Sequence, residues 1–185
     1  MINKRGQIWI ETVIYTLIAL VMIGAVLSFV QPKIQEIQDK AIIDQSLKIM
    51  AGINEEMDSV LLGGAGNKRI VSIELKKGDI AIDCTNDEII YMLADTRSRY
   101  SEPGQDILYG NIIINTEKTG NLNIVTLKLD YKLGNLNGLP NLDLRCENQD
   151  EKTLTLTKST TPYKFEVTNN GALSGEAPMI NIQVA

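Results

Sequence analysis

A chain of 185 residues with net charge −5, 44% hydrophobic and 22% charged, has enough apolar content for one ordinary core and too little charge for wholesale disorder. It has no histidine and only two cysteines, which removes Ser-His-Asp and Cys-His catalysis, every histidine-bearing metal site and the four-thiolate zinc site, so neither an enzyme nor a cofactor is expected. The acidic balance disfavours a dedicated nucleic-acid binder, which needs a basic face, and no nucleic-acid partner is expected.

The first six residues carry Lys4 and Arg5 and end in Gly6. Thr12 to Val30 are 19 consecutive residues without a charge, eleven of them Leu, Ile, Val or Phe. On an insertion scale those eleven favour a bilayer by about 5 kcal/mol. Counted from Ile8, the apolar stretch is interrupted only by Glu11 and would span about 35 Å as a helix, enough for a hydrocarbon core of about 30 Å. The stretch is longer than the apolar part of an ordinary secretory peptide, and no small-x-small cleavage site follows Val30. A carboxylate inside such a segment costs free energy that a plain anchor has no reason to spend, so Glu11 is a functional candidate. Pro32 lacks an N–H for the Ser28 carbonyl, which predicts a helix break, as a kink or local melting, over residues 28–32. Beyond it, residues 33–62 read as a second amphipathic helical stretch. Ile43, Leu47, Met50, Asn54, Met57 and Leu61 recur at helical spacing with one polar break, and Ile34, Ile37 and Ala41 form a slightly offset stripe.

Gly63-Gly64-Ala65-Gly66 is a helix stop; no Gly-Lys-Ser/Thr follows, so it is no phosphate loop. From there the pattern changes to period two. Residues 69–75 and 79–84 alternate around Lys77-Gly78-Asp79, a hairpin signal, and residues 112–114 and 122–129 flank a turn at Gly120. Further runs cover 142–146, 153–157, 163–167 and 179–184. Residues 89–94 fit either a strand or a short helix, and 95–110 and 134–141 read as loops. The pattern predicts an antiparallel sheet or sandwich of about seven to nine strands. The fold class is therefore α+β: a long N-terminal kinked helix, then an antiparallel β-rich domain. Asp83, Asp87 and Glu88 cluster weakly, and a solvated turn explains them better than calcium. Lys118, Lys128 and Lys132 share a predicted sheet face but are diluted by acids. No Asn-x-Ser/Thr sequon occurs, and the Thr-rich run 153–161 reads as an exposed strand face, with O-linked sugar as the alternative.

The order Lys4-Arg5-Gly6-Gln7-Ile8-Trp9-Ile10-Glu11 resembles the class III signal peptide of type IV pilin-like proteins, in its archaeal form. The archaeal pattern often has a serine where Trp9 stands and a leucine where Tyr15 stands. The resemblance implies a leader at 1–6, cut by a prepilin peptidase between Gly6 and Gln7. It implies an assembly helix over 7–62 and, beyond the Gly-rich linker 63–67, an extracellular head over 68–185. Gln7 would supply a new amine and Glu11, fifth in the mature chain, would neutralise that amine on a neighbouring subunit. The protein would lie in the cell membrane before assembly and in a surface filament afterwards. Its partners would be further copies of itself, an assembly ATPase and a platform membrane protein. On that export route Cys84 and Cys146 are expected to form a disulfide worth about 4 kcal/mol; two unrelated buried thiols are the alternative. A minor pilin or pseudopilin, and a membrane-anchored binding domain that never polymerises, are the rival readings.

Overall fold

The computed structural model describes residues 4–132, 140–146, 153–172 and 174–184, with side chains from Trp9 onward. One helix, α1 (Lys4–Leu62), precedes ten strands: β1 (Lys68–Ile73), β2 (Asp79–Asp83), β3 (Glu88–Thr96), β4 (Ile107–Tyr109), β5 (Ile112–Thr119), β6 (Leu122–Asp130), β7 (Asp143–Cys146), β8 (Thr153–Leu156), β9 (Tyr163–Asn169) and β10 (Met179–Val184). The class is α+β, as the patterning predicts. The chain divides into two units, Met1–Gln38 and Asp39–Ala185.

The first unit is helix. From Trp9 to Gln38 its described side chains are exposed, Pro32 alone being half-buried. The hydroxyl of Thr16 bonds back to the carbonyls of Thr12 and Val13, at 3.0 and 2.9 Å, and that of Ser28 to Ala25 at 2.8 Å. These hydroxyls therefore present little uncompensated polarity to an apolar surrounding. Of the kink or local melting expected over residues 28–32, the melting is not found: these residues are helical and α1 runs through Pro32. One proline deletes a single N–H from the ladder, and the bonds of the flanking turns suffice to carry the helix past it.

The second unit holds the core. Six helix side chains, Ile43, Leu47, Met50, Ile53, Met57 and Val60, join buried residues from both sheets in one cluster. Ile53 and Val60 widen the stripe predicted from spacing, whereas Ile34, Ile37 and Ala41 lie outside the core. The strands form two sheets, ordered β1-β9-β10-β7 and β4-β5-β6-β3-β2-β8. Alternation places one face of each strand inward; in β3 these are Ile89, Tyr91 and Leu93. All pairings are antiparallel except that of β10 with β7, which is parallel.

Two strand expectations are revised, and one that was open is resolved. Residues 69–75 and 79–84 do not form a hairpin: β1 pairs with β9, and β2 with β3 and β8. The Lys77-Gly78 turn instead carries the chain from one sheet to the other. Gly78 has φ +80°, and a Cβ there would lie 2.5 Å from the Tyr91 hydroxyl, so only glycine fits. Residues 89–94 belong to a strand, β3, between β6 and β2. The stretch read as a loop over 95–110 contains the three-residue edge strand β4, too short to show a period. The Gly120 turn does connect a hairpin, with Thr119 opposite Leu122. Of the segment 134–141 read as a loop, 134–139 lie outside the described residues, and Pro140 and Asn141 have no regular structure.

Candidate functional site

The most unusual surface of the molecule is the helix of the first unit. Trp9 is 74% exposed, Val21 71% and Phe29 74%, and apolar neighbours fill the turns between them. α1 is long and apolar enough to cross a membrane. An apolar surrounding suits such a rod better than water does. Glu11 stands exposed in its first turns, and no described residue forms an ion pair with it. Lys4, Arg5, Gly6 and Gln7 fall within the bounds of α1; their side chains lie outside the described residues, as do Met1 to Asn3.

Cys84 and Cys146 are joined in a disulfide with a Cα–Cα distance of 5.8 Å. The bond ties the chain just after β2 to the end of β7, and so links the two sheets. The adjacent acids are already engaged. Asp83 accepts from the backbone N–H groups of Thr85 and Asn86, at 2.8 and 3.2 Å. Asp87, in the left-handed region at φ 59°, accepts the Leu144 N–H at 2.8 Å, and burial pushes its carboxyl above the usual range. Glu88 pairs with Lys128 at 3.2 Å. Each carboxylate thus serves a turn or an ion pair, and among the described residues no group of three acids or thiols is arranged for a metal. Of the three lysines assigned to one face, Lys128 is also bound to Asp130 at 3.1 Å and stays charged; burial lowers its pKa, but the bonds to Asp130 and Glu88 more than reverse this.

Sequence reasoning missed Asp39, the first residue of the second unit. It is 6% exposed, and it sits one helical turn before Ile43 on the docked face. Its carboxylate accepts from Lys77 Nζ at 2.7 Å and from the Arg97 backbone N–H at 2.8 Å. The second contact follows from a register shift in the β3–β6 pairing between Leu93 and Thr96, where Asp95 takes φ 54°. Asp39 therefore pins α1 to the ends of two loops. Burial would raise its pKa, but the Lys77 and Arg97 hydrogen bonds outweigh that and hold it below the usual range. A carboxylate depressed in the folded state stabilises above its ordinary pKa, and that contribution disappears as pH falls through the folded value. Asp39→Asn is expected to cost about 1–2 kcal/mol at pH 7, at the lower end because Lys77 is partly solvated. In urea titrations the gap from wild type should close as the pH drops below about 4. A gap that stays constant with pH would exclude this role. Asn54, read as a polar break in the helix stripe, accepts from the buried Tyr131 hydroxyl at 3.3 Å and donates to Asp58 at 3.2 Å.

No family model, no curated protein and no solved structure matches this chain.

Proposed function

We propose that this chain is a structural subunit of an extracellular type IV pilus-like filament, processed after Gly6 and polymerised through its N-terminal helix. The observation that carries the reading is the uncovered apolar helix with Glu11 near its start, joined to a disulfide-closed β domain. An amine created at Gln7 of one copy and the Glu11 carboxylate of another, about 4 Å apart, would attract by roughly 4 kcal/mol at an effective dielectric of 20. Both groups would be desolvated among packed helices, so removing one leaves the other uncompensated. Like helices then replace lipid around the apolar rod as the subunit leaves the bilayer. The peptidase, the assembly ATPase and the platform protein would be its transient partners, and the β domain would form the filament's outer surface.

Mass spectrometry of the native protein tests the first step, and a mature chain beginning at Gln7 is expected. Gly6→Val should abolish that cleavage. Glu11→Ala should be cleaved normally yet be excluded from filaments sheared off cells that also make wild-type subunits. A native chain that keeps Met1 would favour the membrane-anchored, non-polymerising domain, and normal incorporation of Glu11→Ala would remove the charge pair from the mechanism.

A further inference from the structure

The chain carries an Asn–Gly pair at Asn170 and Gly171, in the connection that leaves β9. Such a pair is chemically labile, because a following residue without Cβ lets the asparagine side chain approach the next backbone nitrogen. The Gly171 nitrogen gives up its proton to base in the solvent and attacks Asn170 Cγ. The bond from Cγ to the side-chain nitrogen breaks, and ammonia leaves with a proton taken from water. Water then opens the cyclic imide at either carbonyl, leaving aspartate or isoaspartate. Asn170 is exposed, so water reaches it. The fold favours glycine at the second position: Gly171 has φ +83°, and a Cβ there would crowd that of Ala65 at 3.2 Å.

Asn169, the residue before the pair, holds the attacking atom. It is 4% exposed, and its Oδ1 accepts the Gly171 N–H at 2.8 Å. A proton engaged in such a bond is harder to remove, and the nitrogen is held towards Asn169 rather than free to turn to Asn170 Cγ. The Asn169 side chain is itself fixed, since Nδ2 donates to the Val60 carbonyl at 3.3 Å, near the end of α1. Its backbone N–H donates to the Asn67 carbonyl at 2.9 Å, and its own carbonyl accepts from the Gly66 N–H at 2.7 Å. On the other side of the pair, the Asn170 N–H donates to the Met179 carbonyl at 2.9 Å, and the Gly171 carbonyl accepts from the Met179 N–H at 2.8 Å. The labile peptide is thus clamped from both directions. We propose that Asn170 is a latent deamidation site that Asn169 keeps closed in the folded domain. Isoaspartate would add a carbon to the main chain between the two Met179 bonds and so disrupt that rung. Either product adds a negative charge. The site needs neither cleavage at Gly6 nor assembly, so it goes beyond the filament reading.

Full-length protein in detergent is incubated in mildly alkaline buffer, either folded or in guanidinium chloride with a reductant, then digested for peptide mass spectrometry. Asn137, in the chain's other Asn–Gly pair, is the reference in denaturant. There Asn170 and Asn137 should deamidate at similar rates. In the folded protein Asn170 should react at least several-fold more slowly than in denaturant. Asn169→Ala should remove most of that protection while the domain stays folded. Asn67→Ala controls for mere loosening of the helix end: Asn67 Nδ2 donates to the same Val60 carbonyl at 3.5 Å and to that of Ser59 at 3.3 Å, whereas Gly171 is held by Asn169. That variant should leave Asn170 slow. Equal rates in the two variants would overturn the proposal. So would an Asn170 that reacts as fast folded as unfolded, a result that stands even where Asn169→Ala does not fold. An Asn170 that lags Asn137 in denaturant would place the protection in the local sequence and overturn it too.

Discussion

A chain restricted to residues 36–185 is expected to be water-soluble and monomeric, with a cooperative unfolding transition within a few degrees of that of the full protein's β domain. Among the described residues, all 28 buried apolar side chains lie at or after Ile43, six of them on α1. At roughly 1.5–3 kcal/mol for each such side chain buried, the hydrophobic driving force of the described core belongs to this part of the chain. Upstream of Gln38 the described side chains are exposed apart from half-buried Pro32, and none belongs to the buried core. Starting at Glu36 keeps two acids, Glu36 and Asp39, in the new first turn, where they favour the helix dipole. The full chain should partition into membranes or detergent instead. Gel filtration and circular dichroism check both halves of the expectation. An insoluble 36–185 fragment, or one that melts without cooperativity, would show that the core depends on the upstream helix.

The second large effect concerns the Cys84–Cys146 bond. Replacing both cysteines by serine is expected to destabilise the domain by about 4 kcal/mol, because 62 positions of separation leave a long loop to be closed in the unfolded chain. For a domain of this size that lowers Tm by about 10 °C. The loss should be concentrated in β7. Among the described residues that strand pairs only with β10, over four residues, and is further held by the disulfide, the Leu144 N–H bond to Asp87, the Asp143 N–H bond to Pro178 and the buried Leu144 side chain. Hydrogen exchange should therefore rise first at Leu144 and Arg145, and a reductant should reproduce the change in the wild-type protein. Unchanged stability after reduction would remove the disulfide from the account of this fold. The bond is compatible with an oxidising location outside the cell, where such a contribution persists.

Much of this architecture is written in short-range pattern. An uncharged run of 19 residues and a helical stripe ending at Gly63 mark the two stretches of α1, and period-two alternation marks most strands. The two cysteines, each just past or at the end of a strand, meet as expected. The misreadings share one cause. The turn at Gly78 is visible locally, but nothing near it says that β1 will pair with β9, about a hundred residues away, rather than with β2. β4 is recognised only through its partner β5. Pro32 suggested local melting because its missing N–H is a local fact, whereas helix continuity depends on the turns around it. At the candidate site, Glu11 and the apolar run were legible because an acid in an apolar segment is conspicuous in any window. Asp39 and Asn54 were not, because a polar residue on an apolar stripe acquires meaning only from what it meets.

Local periodicity was thus enough for the class of fold, the extent of the apolar helix and the place where helix gives way to strands, since each follows from which face of a single element is apolar. Strand partners, the docking role of Asp39, and the hydrogen bonds that make buried Asp39 and half-buried Asn54 and Asp87 tolerable came only with the tertiary structure. Pairing and burial are settled by contacts between distant segments, and the free energy of a buried polar group depends on the partner that it finds there.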